Sequence, residues 1–303
     1  MRFGISLPQG VADGSFDPDA FRAYASRADE LGFEAAWTME QVLGERPRLS
    51  PIEVMTYAAA CNQRLRLGCA VFVTPVHSPV HLAKSLATLD QLSRGRLEVG
   101  VGTGGPNRPF AAFGADPDTY VARFSEGLAL MKACWTQPKI EFEGRFWQLR
   151  EGAMEPKPFQ KPHPRIWFGG SQPSALRRAV RHGDAFMGAG STTTGAFAEQ
   201  VKVIRAELVE AGRRSFPIAK RVYIAVDDDV ARAHQRIAVG LERVYGDFGR
   251  RLTPVAISGT PSDCVGGLRD VANAGAEMIV LNPVDDEREQ MERLAAEVVP
   301  HIR

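Results

Sequence analysis

Residues 64–107 read RLRLGCAVFVTPVHSPVHLAKSLATLDQLSRGRLEVGVGTGGPN. An apolar run from Leu67 to Val73 leads into Thr74-Pro75-Val76-His77, and Ser78-Pro79 then opens a helix with a serine cap and proline in the first turn. Leu82, Leu86, Leu89 and Leu92 fall on or near one face of that helix, which is read as its packed side. A second apolar run closes on Gly100-Val101-Gly102-Thr103-Gly104-Gly105. Two short strands joined by one amphipathic helix make a βαβ unit, because parallel strands need such a crossover. Neither run alternates cleanly, as expected of strands covered on both faces. Each ends in small, polar or Gly/Pro residues, so a ligand can approach just past the carboxyl ends.

The same pattern extends in both directions. Phe3 to Leu7 is a first strand, stopped by Pro8, and Asp17-Pro18 starts a helix carrying Phe21, Tyr24, Ala25, Ala28 and Leu31. Ala35 to Thr38 is a second strand that runs out at Met39-Glu40-Gln41, and Ser50-Pro51 opens the next helix. Beyond the quoted unit, Phe124, Leu128, Met131 and Trp135 keep helical spacing. Ile140 to Trp147 alternates around Gly144 as an exposed hairpin, and Pro156 to Pro164 is an extended connector. Arg165 to Phe168, Asp184 to Met187, Arg221 to Val226 and Glu277 to Leu281 are strands five to eight, and Thr260-Pro261-Ser262-Asp263 is a capping box. Eight apolar strands alternating with helices predict an α/β chain, one (β/α)8 TIM-barrel domain over residues 1–303 with insertions after strands 4 and 7. The first insertion is the hairpin near residues 138–164.

At 303 residues the chain is long enough for such a barrel, which needs about 250. A net charge of +1 gives no argument for nucleic acid or an anionic membrane surface. Cys61, Cys69, Cys134 and Cys264 have neither metal-ligand nor redox-motif spacing, which suits a reducing compartment. With no membrane-length apolar run, the sequence is read as cytoplasmic.

In such a barrel, chemistry sits at the carboxyl ends of the strands. Glu40 and Gln41 leave strand two there, with Thr74 and His77 after strand three, and Thr103, Gly104 and Asn107 after strand four. Glu40 can serve as acid or base, or orient a neighbour, and His77 can donate a proton or simply precede a helix. Gly100 to Gly105 matches G-x-G-x-x-G, yet Pro106, Asn107, Arg108 and Pro109 follow where a Rossmann turn needs a helix, so the fingerprint is accidental. Its glycines either let a ring press on the backbone or serve the turn. Gly169-Gly170-Ser171 ahead of the Pro173 helix is the preferred anion site, with Arg177 and Arg178 in the next two turns. Gly190 to Thr194 is a second of the same kind. Asp227 to Asp229 read as a turn and helix cap, and Trp37, Trp135, Trp147 and Trp167 as core. No histidine pair or carboxylate cluster supports a metal-dependent hydrolase.

These residues, taken in order, resemble the luciferase-like monooxygenase family. The likeness rests on Gly32-Phe33 to Trp37-Thr38, Leu67-Gly68, His77-Ser78-Pro79-Val80 and Leu86 to Asp90 through Gly95-Arg96-Leu97. It continues through Gly100 to Gly104, Phe113-Gly114, Phe142-Glu143-Gly144, Pro156-Lys157-Pro158, Pro162-His163-Pro164, Gly169-Gly170-Ser171 and Gly259-Thr260-Pro261. The resemblance implies a barrel that binds FMN or the deazaflavin coenzyme F420. It implies a ring leaning on a bulge in strand three, with a cis peptide at Ala70-Val71. It further implies Thr74, Thr103 and Asn107 lining the ring and ribityl chain, and Gly169, Gly170 and Ser171 on the phosphate. Asp90 and Arg96 look structural. Thr103 stands where bacterial luciferases carry an arginine, which favours F420. Gln41 stands where luciferases and sugar-phosphate dehydrogenases carry a histidine, which leaves proton transfer to Glu40, His77, or substrate and solvent. The expectation is an F420-dependent oxidoreductase moving hydride to or from a small organic substrate. The alternatives are an FMN monooxygenase using reduced flavin and oxygen, and a flavin-binding protein with little catalysis. A reductase supplying reduced cofactor and a homodimer follow by analogy.

Overall fold

The computed structural model describes residues 1–11, 15–105 and 110–302. In chain order the first elements are β1 (Arg2–Ser6), α1 (Pro18–Glu30), β2 (Ala35–Thr38), α2 (Pro51–Cys61), β3 (Arg66–Val73), α3 (Pro79–Leu92) and β4 (Leu97–Gly102). Then come α4 (Tyr120–Thr136), the antiparallel hairpin β5 (Ile140–Glu143) and β6 (Gln148–Gly152), β7 (Arg165–Gly169), α5 (Pro173–His182) and β8 (Ala185–Gly188). The rest is α6 (Thr194–Glu210), β9 (Ile218–Val226), α7 (Val230–Tyr245), α8 (Asp247–Leu252), β10 (Ile257–Gly259), α9 (Pro261–Asn273), β11 (Met278–Pro283) and α10 (Glu287–Arg293). Parallel pairing runs β1-β2-β3-β4-β7-β8-β9-β11 and back to β1, closing an eight-stranded barrel. The two insertions lie where expected: the hairpin follows β4 and α4, and α8 with the short strand β10 follows β9.

Local chemistry sets the element ends. Asp17 caps α1, Ser78 caps α3, and Thr260 and Asp263 cap each other's backbone at α9. One core lies between barrel and helices. A smaller one fills the barrel, where Trp37 and Trp167 meet edge to face at 5.6 Å among Ala35, Met187 and Met278. The α3 face is narrower than its leucine spacing suggests. Leu82, Leu86 and Leu89 are buried, but Leu92 in the last turn is 62% exposed. Trp37, Trp135 and Trp167 are fully buried, whereas Trp147 is only partly so. Asp90 and Arg96 are structural: Asp90 accepts from Gln160, and Arg96 donates to the carbonyls of Ala59, Asn62, Leu65 and Ser93. Among the described residues no helix is long and apolar enough to cross a membrane.

Candidate active site

β3 carries one residue more than β4 at the barrel mouth. Their register runs Leu67↔Leu97 to Cys69↔Val99 and resumes at Phe72↔Val101. The surplus is a bulge at Ala70 and Val71, and the peptide between them is cis. A Cβ on Gly100 would lie 2.0 Å from the Cys69 carbonyl oxygen, and one on Gly102 would lie 2.6 Å from Val71 Cγ2. Those two glycines therefore make room for the bulge itself. Arg221 of β9 crosses the barrel to hold it, donating from Nη1 to the Ala70 carbonyl at 3.1 Å and from Nη2 to Asn282 Oδ1 at 2.7 Å.

Glu40 and His77, placed separately at two strand ends by the sequence, meet here. Glu40 Oε1 lies 2.8 Å from His77 Nε2, and its other oxygen accepts from the Val73 backbone N–H at 2.7 Å. The carboxylate is almost wholly buried while the imidazole keeps some exposure, so the pair can hold a proton beside the bulge. Thr74 begins the next turn. Its Oγ1 is buried and has no hydrogen-bond partner among the described residues. Gln41 lies in the loop after β2, its side chain folded over Gly44, and lines an outer cavity of about 600 Å³ with Glu40, Tyr245 and Phe248. Thr103 Oγ1 donates to the Gly104 carbonyl at 3.1 Å, and Gly104 has φ 70°. Asn107 lies outside the described residues.

The two anion candidates turn out to be one. Gly170 and Ser171 after β7, and Ser191 to Thr193 after β8, line a single cavity of about 730 Å³. It sits at the N-termini of α5 and α6; Gln172 gives α5 no side-chain cap, Pro173 carries no N–H and Ala175 N–H goes to the Gln172 carbonyl, so Ser174 supplies the first-turn N–H that α5 offers a ligand. The two arginines in the next turns do not line it. Arg177 pairs with Glu207 at 2.9 Å, and Arg178 lies over the Phe124 ring. Beneath the second turn, Lys220 Nζ donates to the Ala189 carbonyl at 2.5 Å.

Asp227 and Asp229 are accounted for without a cation. Asp227 receives Arg232 and Arg236, which hold its carboxyl below the usual carboxylate range, and Asp229 caps α7. Among the described residues no group of three or more His, Cys, Asp or Glu side chains is placed to hold a metal. Sequence reasoning missed Lys220 and Arg221. Their signal was present: two adjacent cations inside β9, a strand buried at all nine positions.

The family model of the luciferase-like monooxygenases matches residues 1–278. The chain belongs to that family. It is similar to the FMNH(2)-dependent dimethylsulfone monooxygenase of Pseudomonas putida, 30% identical over 86% of this chain and 69% of that protein. It is also similar to the F420-dependent glucose-6-phosphate dehydrogenase of Kineococcus radiotolerans, 24% identical over 99% of this chain and 97% of that one. Among solved structures, monooxygenase RslO1 from Streptomyces bottropensis superposes with a TM-score of 0.87 at 27% identity, covering 100% of both chains. A flavin-type cofactor of this luciferase-like family fits the residues present. The orphaned Thr74 hydroxyl beside the bulge offers a polar contact for a ring system. The groove at α5 and α6 offers amides and hydroxyls for a phosphate.

Proposed function

We propose that this chain is an F420-dependent oxidoreductase acting on a small organic substrate, with Ala70, Val71 and Thr74 against the ring, Gly169 making room for Val71, and Gly170 and Ser171 on the tail. The observation that carries the reading is the composition of the groove. Its described lining holds hydroxyls, glycine and Gln200, no cationic side chain, and one acid, Glu199. A phosphodiester such as that of F420 brings one negative charge. The phosphomonoester of FMN brings nearly two at neutral pH, which a groove without a cation neutralises poorly. The F420-dependent Kineococcus relative supports the same reading.

The cofactor, when bound, supplies the redox chemistry. The chain's own part is to fix the ring on the bulge, exclude water at the mouth, and hold a proton at Glu40 Oε1 or His77 Nε2. A reductase that renews the cofactor and a homodimer belong to the proposal by family analogy. The second reading, an FMN monooxygenase, is supported by the 30% identical FMNH(2)-dependent relative. Titrating the purified protein with F420 and FMN, each oxidised and reduced, separates them. F420 is expected to bind more tightly in both states. Tight binding of reduced FMN without F420 binding would overturn the proposal for the monooxygenase. Binding without turnover would leave a carrier.

A further inference from the structure

Between β1, β2, β9 and β11 the barrel mouth encloses a cavity of about 80 Å³, lined in part by Trp37, Arg48, Arg221, Tyr245 and Glu287. Three N–H donors in its wall are buried with no acceptor among the described residues: Trp37 Nε1, Arg48 Nε and Arg221 Nε. A buried donor without an acceptor is costly, so three around one cavity imply an acceptor within it, which water or a ligand can supply. Arg221 is only 9% exposed and meets carbonyl and amide oxygens, no carboxylate, so its charge too is left unbalanced. Arg48 makes no ion pair among the described residues. Glu287 is the one acid on the wall, and burial raises its carboxyl towards the neutral form, so two guanidinium groups outweigh it.

We propose that this cavity is the subsite for the negatively charged head of the substrate, a carboxylate or sulfonate gripped by Arg48, Arg221 and Trp37. Its neighbour, the outer cavity of about 600 Å³, shares Met39, Val244 and Tyr245 with it and sets Leu43 and Phe248, each more than half exposed, beside Glu40, Glu45, Arg46 and Asp247. The substrate class is therefore a small organic acid whose body extends into a cavity of mixed apolar and polar lining. Calling the bound acid a substrate rests on the oxidoreductase reading. The anion site itself does not.

The test is calorimetric titration of cofactor-free protein with propionate, propanesulfonate and neutral propionamide. Both anions are expected to bind, with the amide about tenfold weaker or worse. Arg48→Gln is expected to weaken both anions about tenfold, with Arg221 keeping part of the preference, and to melt no lower than the parent. Arg221→Lys, which keeps the charge but loses the forked donor set, is expected to weaken both anions. Equal binding of amide and acids, or an Arg48→Gln variant that binds the anions as tightly as the parent, would overturn the subsite. If neither F420 nor FMN binds but the anions do, the oxidoreductase reading fails and the anion site stands. If a cofactor binds and no anion preference appears, the subsite alone fails.

Discussion

His77 Nε2 lies 2.8 Å from Glu40 Oε1, and this contact joins the ends of β2 and β3 beside the bulge. With its other oxygen on Val73 N–H, the carboxylate is fixed at both ends and cannot rotate away from the imidazole. Glu40→Ala leaves a buried N–H without an acceptor, at a cost of about 1–3 kcal/mol, read as a lower urea midpoint. Glu40→Gln retains an acceptor for Val73 and should unfold close to the parent. Its turnover should fall by about 100-fold if the pair handles the proton, with cofactor affinity unchanged. Equal turnover in Glu40→Gln and parent would assign the pair to structure alone.

Val71 fills the space that two missing side chains leave. Its Cγ2 would lie 2.6 Å from a Cβ at Gly102, and its Cγ1 would lie 3.0 Å from one at Gly169. Gly102→Ala should therefore cost about 1–3 kcal/mol as overpacking and weaken cofactor binding by displacing the bulge. Val71→Ala removes the clashing methyls, so the Gly102→Ala, Val71→Ala double variant should recover most of that loss. A double-mutant cycle with no coupling between the two positions would refute the contact.

Lys220 is 2% exposed, and its ammonium donates to the carbonyls of Ala189 and Arg221, lies over the Phe197 ring and meets no carboxylate among the described residues. Burial, then the neighbouring Arg221, pushes it down from an ordinary 10.5 to about 7. Between those values the unfolded chain keeps the proton and the folded chain does not. Stability therefore rises with pH across the window, by up to about 1.4 kcal/mol per unit. The thiols of Cys69, Cys134 and Cys264 and the phenols of Tyr24 and Tyr223, all raised by burial, act in the opposite sense, the thiols from about pH 8.5 and the phenols above about pH 10. Below the onset of the thiols, across about pH 7 to 8, urea midpoints should climb in the parent and stay flatter in Lys220→Met. Parallel profiles would show that Lys220 does not titrate there.

The barrel was legible because each strand is a short apolar run between turn residues and each helix carries its own cap. Those are local properties, read from a dozen residues at a time. Partnerships across the barrel were not. Glu40 and His77 are separated by 37 positions, so the sequence could name each but not pair them. Glu98, the acid inside β4, is almost fully buried, taking the Trp167 indole N–H at 2.6 Å together with Arg66 and Arg165 from other strands. The glycine run was read as a possible cradle for a ring. Gly100 answers to the Cys69 carbonyl and Gly102 to Val71, both on the neighbouring strand, which no reading of β4 alone could reveal. Leu92 misled because helical spacing continues past the point where α3 leaves the core.

Ser171 tests the phosphate groove without disturbing the fold. It is exposed at the turn between β7 and α5, on the wall of the cavity it shares with Ser191 to Thr193. A carboxylate there would occupy the space assigned to the tail phosphate and repel it. Helix N-termini favour negative charge, so Ser171→Asp should leave the protein as stable as the parent or slightly more so. Cofactor affinity should nevertheless fall, by about tenfold or more, while Ser171→Ala loses only one hydroxyl and falls less. The measurement is fluorescence titration of each variant with F420 beside a thermal melt. An Asp variant that binds as tightly as the parent would move the phosphate away from this groove.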